Sequence, residues 1–319
     1  MARVSIKTAA EKALTDFLGL SPDESLLVVS DEEMRTIGMA LFEAGKSLAM
    51  EAVYAEMSPR KIDGEEPPEP ICDIMKQVDV VIAATAKSIT HTDARREASK
   101  LGVRVATMPG ISTSSMARCM TADYKEIIAL TEKVYGSMKG TKVIHIITEA
   151  GTDITMPVKD RNIMKSTGVL RKIGESGNIP SGEVYVAPWE GKTNGKVVFD
   201  GSIAGIGLLK NPIEIEIKNG EVVKIDGKTE AKKLQKQFDE AGKDSMMVAE
   251  FGMGTNYKAK VAGDILEDEK TLGTIHIAFG NNLNMGGSIR AHSHFDCVVM
   301  KPTVYFDKKK IMEKGELLI

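Results

Sequence analysis

Two histidines and an aspartate lie close together near the end of the sequence, in the segment His292-Ser293-His294-Phe295-Asp296. On an extended strand, His294 and Asp296 project to the same side because side chains alternate with a period of two. Imidazole and carboxylate groups together suit zinc, manganese, cobalt or iron. The segment therefore predicts part of a metal site whose other ligands come from elsewhere in the chain.

Two acidic residues upstream have the chemistry to supply such ligands. Glu183 follows Gly182 at a turn that opens a predicted strand, so the turn can aim its carboxylate into a cleft. Glu250 ends an apolar run and precedes Gly252 and Gly254, which let the backbone approach other groups closely. We expect Glu250 to be buried or to face a cleft, where it needs a metal ion or a basic side chain as its partner.

Glu269 and His276 are further candidates, although each also has a simpler interpretation. His276 lies within a nearly continuous apolar strand, where a lone histidine is most often a core residue. Glu269 lies in an acidic segment of the kind that is usually solvated. Because the candidates occur at the edges of separate apolar segments, we predict one shared site. Its candidate metal ligands are Glu183, Glu250, Glu269, His276, His294 and Asp296.

These ligands allow two kinds of metal chemistry. Two divalent ions bridged by a water molecule would lower the pKa of that water and polarise a substrate carbonyl, which is the equipment for amide hydrolysis. A mononuclear site with two histidines and one acid is the other possibility, and such a set resembles the facial triad of non-haem iron oxygenases.

The first 138 residues alternate apolar strands with amphipathic helices, which implies a parallel sheet with right-handed crossovers. In such sheets ligands bind at the carboxyl ends of the strands, so the loops at 30–31, 88–91 and 109–115 should gather there. The predicted strands are 25–31, 48–57, 78–85 and 102–110, and the predicted helices are 4–18, 32–44, 93–101 and 122–138.

After residue 138 short strands separated by Gly and Asn turns dominate. The sequence thus predicts an α/β N-terminal domain over 1–138 and an α+β metal-binding domain, rich in antiparallel strands, over 139–319. The second domain has one predicted helix, 229–241, and its predicted strands are 143–147, 153–158, 183–187, 196–200, 213–218, 221–225 and 298–306.

Composition narrows the range of partners. The chain has 319 residues, 42% of them hydrophobic and 27% charged, with a net charge of -3. Basic residues are spread among acids and aromatic residues make up only 5%, which argues against nucleic acid or an anionic membrane as a partner. With no signal peptide or transmembrane segment in the pattern, we expect a cytoplasmic protein. The three cysteines share no CxxC spacing, so no disulfide framework is predicted.

The order of the motifs resembles the metallo-aminopeptidases of the aminopeptidase S and aminopeptidase T family. The matching motifs are Pro-x-Gly-Glu-Val, Glu-Phe-Gly-x-Gly-x-Asn, an acid followed by His-Ile-Ala-x-Gly, and His-x-Asp. The resemblance implies two zinc, cobalt or manganese ions held by the six candidate ligands, with Glu250 as the bridging and catalytic residue. It also implies a homodimer that releases N-terminal residues from short peptides.

Two departures from that family leave other functions open. The spacer between Glu269 and His276 is longer by two residues, and only 17 residues separate His276 from His294. The 2,5-dihydroxypyridine 5,6-dioxygenases of the same superfamily are similar in overall order and use one Fe(II); His91 would then be a substrate-binding histidine for acid–base work on an aromatic ring. A small-molecule binding protein with a relic site is the third possibility. The presence of Glu183 and Glu250 favours the peptidase.

Overall fold

The computed structural model describes residues 5–319, so residue 4 of the first predicted helix lies outside the described residues. Helices and strands alternate in the first part of the chain, as the sequence predicts. The elements are α1 (Ile6–Lys12), β1 (Ser25–Asp31), α2 (Arg35–Gly45), β2 (Glu51–Met57), α3 (Glu69–Met75), β3 (Val80–Ala84), α4 (Asp93–Lys100), β4 (Arg104–Thr107), α5 (Thr113–Cys119) and α6 (Tyr124–Met138).

Strands dominate the rest of the chain. They are β5 (Val143–Ile147), β6 (Asp153–Pro157), β7 (Ile163–Ser166), β8 (Ser176–Asn178), β9 (Glu183–Val186), β10 (Asn194–Phe199), β11 (Ser202–Ile203), β12 (Gly207–Leu208), β13 (Ile213–Lys218), β14 (Glu221–Asp226), β15 (Val248–Gly254), β16 (Thr274–Gly280), β17 (His294–Met300), β18 (Thr303–Phe306), β19 (Lys309–Glu313) and β20 (Glu316–Leu317), with helices α7 (Thr229–Ala241) and α8 (Ile265–Asp268) between them. Within residues 5–319, no helix has the length and apolar character needed to cross a membrane.

The chain forms two compact units. Unit 1 comprises the described residues up to Lys125 together with Ser166–Ser181, and unit 2 comprises Glu126–Lys165 and Gly182–Ile319. The sequence places the division after α6, whereas the contacts place it near the start of that helix. The reason is that Val134 and Met138 of α6 belong to the hydrophobic core of unit 2.

Unit 1 is built on a five-stranded parallel sheet with the order β2-β1-β3-β4-β8. The predicted α/β domain with a parallel sheet is thereby confirmed. Its last strand, β8, comes from the segment that returns from later in the chain. Helix α3 lies in a segment where the sequence analysis predicts no helix, and Pro70 is in its first turn, where the missing N–H breaks no helical hydrogen bond.

Unit 2 contains an eight-stranded sheet and a seven-stranded sheet, with the orders β14-β13-β10-β6-β5-β18-β19-β20 and β12-β11-β17-β16-β15-β9-β7. Apolar side chains from both sheets form one core, in which Phe279 packs edge-on against Phe199 and Phe238. The predicted domain rich in antiparallel strands is confirmed. The predicted strand 298–306 is divided into β17 and β18, because Lys301 turns the chain with a φ of 46°.

Candidate metal centre

Four neighbouring strands of the seven-stranded sheet, β17-β16-β15-β9, separate core residues from polar residues by alternation. Phe251, Ile277 and Cys297 point into the core of unit 2. The residues beside them in sequence therefore lie on the opposite face. That face carries Glu183, Glu250, His276, His294 and Asp296.

Glycines on β15 make room on this face. A Cβ atom at Gly252 would lie 2.1 Å from the Nε2 atom of His276. A Cβ atom at Gly254 would lie 2.6 Å from the main-chain carbonyl carbon of Lys270 and 2.2 Å from the carbonyl oxygen of Thr271. Both contacts are far inside van der Waals distance, so only glycine allows the imidazole and the 270–271 backbone to lie against β15.

Glu250 lies at the centre of the polar group. Its Oε1 is 3.2 Å from Nε2 of His276 and its Oε2 is 3.1 Å from Nε2 of His294. The same nitrogen of His294 is 3.4 Å from Oδ1 of Asp296, and Nε2 of His276 is 3.6 Å from Oε2 of Glu183. Two triads of ligand atoms within 4.8 Å of one another, Glu183-Glu250-His276 and Glu250-His294-Asp296, therefore share one carboxylate.

Main-chain carbonyl groups orient both imidazole rings. Nδ1 of His276 donates to the carbonyl oxygen of Glu269 at 3.1 Å, and Nδ1 of His294 donates to that of Asn281 at 2.8 Å. A carbonyl can only accept, so each ring carries a proton on Nδ1 and presents Nε2 to the carboxylates. This is the arrangement in which metal-binding histidines are usually held. The residues therefore fit a divalent metal ion.

The charges of the centre are strongly coupled. Burial alone would raise the pKa of Glu250, but hydrogen bonds from His276 and His294 outweigh burial and lower that pKa to about 2. For His276 burial opposes protonation, yet the contact with Glu250 raises its pKa to about 9. In the same way, the carboxylates of Asp296 and Glu250 raise the pKa of His294 well above its usual value. Bound metal would compete with these protons for Nε2.

A lysine that the sequence analysis missed lies beside this centre. The ammonium group of Lys270 is 2.7 Å from Oε1 of Glu183 and also contacts a carboxylate oxygen of Glu269. Its side chain is only 5% exposed. Despite burial, the two carboxylates raise the pKa of Lys270 above its usual value, so the amine stays protonated. The only sequence signal was a basic residue next to a candidate ligand within an acidic segment.

The acidic segment around Lys270 is buried rather than solvated. Glu267 accepts from the backbone N–H of Lys260 at 2.9 Å, and Asp268 accepts from those of Ala262 and Gly263 at 2.7 and 2.8 Å. Burial raises the pKa of Glu269 to about 8, although Lys270 opposes this shift. These contacts hold the loop before β16 in place.

A second loop, between β16 and β17, is tied down by Glu190. The carboxylate of Glu190 accepts from Nδ2 of Asn282 at 3.1 Å and from the backbone N–H of Ser288 at 2.8 Å. It also pairs with Arg161 at 3.2 Å, and the guanidinium of Arg161 stacks on Trp189. The loop includes the carbonyl group that orients His294, so these contacts support the metal centre from a distance.

The structure thus brings together five of the six predicted metal ligands on one face, while the carboxylate of Glu269 is directed to Lys270 instead. The other predicted site residue, His91, lies in unit 1. It is exposed, precedes the N-cap Thr92 of α4, and its carbonyl oxygen accepts from Arg96 at 2.6 Å. Its proposed contact with substrate stays a prediction.

Comparisons with known proteins identify relatives of the chain. The family model NicX, described as 2,5-dihydroxypyridine 5,6-dioxygenase, matches residues 19–319. Among solved structures, the 2,5-dihydroxypyridine dioxygenase from Pseudomonas putida KT2440 is similar with a TM-score of 0.83 at 17% identity, covering 100% of this chain and 98% of that chain. Wild-type AmpT from Thermus thermophilus is similar with a TM-score of 0.70 at 15% identity, covering 98% and 99%. No curated protein sequence matches.

These matches correct the interpretation as an aminopeptidase. A dioxygenase and AmpT both have this fold, so the likeness to these two structures shows that the fold is shared. The reaction predicted first, hydrolysis of peptides by a metallopeptidase, is wrong, since the family model that spans the chain is that of a dioxygenase. The peptidase was favoured because Glu183 and Glu250 are both present. In the structure, however, Glu183 is paired with Lys270.

Proposed function

Because this chain belongs to the 2,5-dihydroxypyridine 5,6-dioxygenase family, we propose that it is a dioxygenase that opens the ring of a dihydroxylated pyridine or a similar hydroxylated aromatic compound. The observation that carries the proposal is that Nε2 of His276 and Nε2 of His294 lie 3.2 and 3.1 Å from Glu250, while Asp296 lies 3.4 Å from the same nitrogen of His294. Two histidines and one carboxylate are the usual ligands of non-haem Fe(II) in oxygenases, and they leave coordination positions open.

We assign His276, His294 and Asp296 as the ligands of one ferrous ion. Their donor atoms project from the adjacent strands β16 and β17, and the carbonyl groups of Glu269 and Asn281 fix the two rings. When bound, ferrous iron supplies the one-electron chemistry that lets dioxygen react with an electron-rich ring.

Exposure indicates the side from which substrate approaches. The side chains of His294 and Asp296 are 30% and 19% exposed, whereas that of His276 is 1% exposed. Substrate therefore reaches the centre from the His294 side, and His276 closes the opposite side.

Glu250 is the proton acceptor in this proposal. Its carboxylate lies against both imidazoles and is 8% exposed, so it acts where water is largely excluded and electrostatic interactions are strong. With the two Nε2 atoms bound to metal instead of to protons, the hydrogen bonds that lower the pKa of Glu250 would be absent. A ring hydroxyl bound at the centre would then lose its proton to a carboxylate oxygen of Glu250. Loss of that proton makes the ring more electron-rich and so more reactive toward dioxygen.

The test is oxygen uptake by protein loaded with Fe(II) without air and then given 2,5-dihydroxypyridine. We expect oxygen consumption together with loss of the ring absorbance, and neither signal with metal-free protein. A panel of dihydroxylated pyridines and benzenes extends the search for substrate. Iron-loaded protein that consumes no oxygen with any of them would rule out the proposed reaction. Failure to bind metal would instead support a small-molecule binder with a relic site.

A further inference from the structure

Two carboxylates on one side of the metal centre already have a cation of their own. Lys270 places its ammonium group between Glu183 and Glu269, at 2.7 Å from Glu183 and in contact with Glu269. Both carboxylates belong to the set that a two-metal site would need. We propose that Lys270 limits this centre to a single metal ion, because its ammonium group takes the place of a second cation. The inference rests on the proposed function in taking the centre as a metal site.

The position of Lys270 is fixed by the main chain. Its carbonyl oxygen accepts from the backbone N–H of Asn256 at 2.8 Å, and the backbone N–H of Leu272 donates to the carbonyl of Asn256 at 3.1 Å. The absence of a side chain at Gly254 lets this segment lie directly against β15. The lysine therefore reaches Glu183 from a rigid backbone, unlike a surface lysine that samples many rotamers.

Charge explains why the ammonium group excludes a second ion. The side chains of Glu183 and Glu269 are each 10% exposed, and carboxylates so far from water need a cation or a proton nearby. Lys270 meets that need without any metal. A divalent ion bound to the same oxygens would have to displace the ammonium group or lie against it, and like charges at close range in a medium of low dielectric repel strongly.

The two imidazoles assigned as ligands remain available to the one ion, and Glu250 lies between them. They contact one another at 3.1 and 3.2 Å, and no contact between these groups and the ammonium nitrogen of Lys270 lies among the ion pairs of the described residues. Lys270 thereby divides the six candidate ligands into two sets. Glu183 and Glu269 pair with its ammonium group, and the other four candidates remain near the metal ion. We expect this division to select one-metal chemistry over two-metal chemistry on this fold.

The experiment counts metal ions and does not depend on turnover. The full chain is stripped with a chelator, titrated with Co²⁺ as the probe ion, and analysed for bound metal after gel filtration. We expect one ion per chain for the wild type and two for Lys270→Met, which removes the charge but keeps most of the length of the side chain. Lys270→Arg keeps the cation and should bind one. Lys196→Met, at an exposed ion pair with Glu214, is the matched control and should also bind one.

Thermal unfolding provides a second readout. Without metal, Lys270→Met leaves buried carboxylates without their cation and should unfold at a lower temperature than the wild type. Excess Co²⁺ should raise the unfolding temperature of Lys270→Met by more than it raises that of the wild type. The reason is that the variant binds one more ion, and an ion bound only by the folded state stabilises that state. If Lys270→Met does not fold, Lys270→Gln keeps two N–H donors for the carboxylates and serves in its place.

Two results would overturn the inference: two ions bound by the wild type with Lys270 unchanged, or a folded Lys270→Met protein that still binds one. The first needs no variant, so two ions on the wild type would overturn the inference even if the variants fail to fold. One ion without oxygen uptake would count against the dioxygenase and leave the role of Lys270 standing. Two ions together with oxygen uptake would support the dioxygenase and overturn the role of Lys270.

Discussion

A Cβ atom on residue 252 would lie 2.1 Å from Nε2 of His276, so Gly252 and the imidazole of His276 depend on each other. The ring is almost completely buried and its Nδ1 is bound to the carbonyl of Glu269, which leaves it little room to move away. A side chain on β15 at this point would therefore push the Nε2 atom out of the metal centre.

Gly252→Ala should destabilise the protein by about 1–3 kcal/mol through overpacking. It should also weaken metal binding by roughly 10–100-fold, since the orientation of a ligand ring is disturbed. Thermal unfolding and metal titration measure the two effects. Gly136→Ala is the matched control, because a Cβ there has no neighbour within 4 Å and the helix should gain about 0.5–1 kcal/mol. Unchanged metal affinity in Gly252→Ala would contradict the packing argument.

Glu250→Gln separates binding of metal from transfer of a proton. Glutamine keeps the size of the side chain but cannot accept the proton of a ring hydroxyl, so turnover should fall by about 10²–10⁴-fold while iron stays bound. Asp296→Asn, in contrast, replaces a metal ligand and should lower the iron content itself. Elemental analysis and oxygen uptake of both variants check the assignment. If Glu250→Gln lost its iron as readily as Asp296→Asn, Glu250 would have to be a ligand.

Glu190→Ala tests the loop that leads to His294. The substitution removes the acceptor for Asn282 and Ser288 and leaves Arg161 without its ion pair, so we expect a loss of about 1–3 kcal/mol. Hydrogen exchange should become faster across residues 282–293, and metal affinity should fall because the carbonyl group that orients His294 belongs to this loop. Glu149→Ala breaks an exposed pair with Lys314 and serves as the control. Equal rates of hydrogen exchange across residues 282–293 in both variants would show that Glu190 does not hold the loop.

Asp200→Asn should make stability less sensitive to pH. Burial raises the pKa of Asp200 above its usual value, although its Oδ1 accepts from the backbone N–H of Met300 at 2.8 Å. The folded state therefore binds the proton more tightly than the unfolded state, and this stabilisation is lost as pH rises through the raised pKa. Asparagine still offers an acceptor and carries no charge, so the variant should gain stability relative to the wild type across that pH window and keep the gain at neutral pH.

Asp226→Asn gives the opposite sign and so controls for general effects of the substitution. Its exposed carboxylate pairs with Lys224, and the contact lowers the pKa of Asp226. The contribution of Asp226 is present at neutral pH and is lost as pH falls through its lowered pKa. Unfolding curves at several pH values compare the two variants. If Asp200→Asn were less stable than the wild type at neutral pH, the hydrogen bond from Met300 to the carboxylate would outweigh the cost of the buried charge.

Much of the site was predictable from alternation alone. A period of two along β17 placed His294 and Asp296 on one face, and the structure has this arrangement, with Cys297 in the core on the other face. The glycines at 252 and 254 indicated close approach to β15, although the sequence does not say which group approaches. Alternation of side chains and glycines within one strand are local features, so the sequence alone predicts them.

Other features depend on contacts between distant segments. The three residues of β8, Ser-Gly-Asn, have no hydrophobic period, and only pairing with β4 makes them a strand. Lys270 likewise has no unusual local pattern; its role follows from the position of Glu183, nearly ninety residues earlier in the sequence. The choice of reaction failed for the same reason. Counting carboxylates suggested two metals, but the sequence did not show that two of those carboxylates, Glu183 and Glu269, pair with a lysine.

The alternation of core and polar residues on the sheet also bears on how such enzymes diverge. Every donor of the metal centre has an apolar neighbour in sequence that packs into the core of unit 2, so the two requirements are met by different residues of the same strands. Selection can then exchange the chemistry of one face while the other preserves the fold. Substitutions on the polar face can therefore change the reaction while every variant along the way still folds.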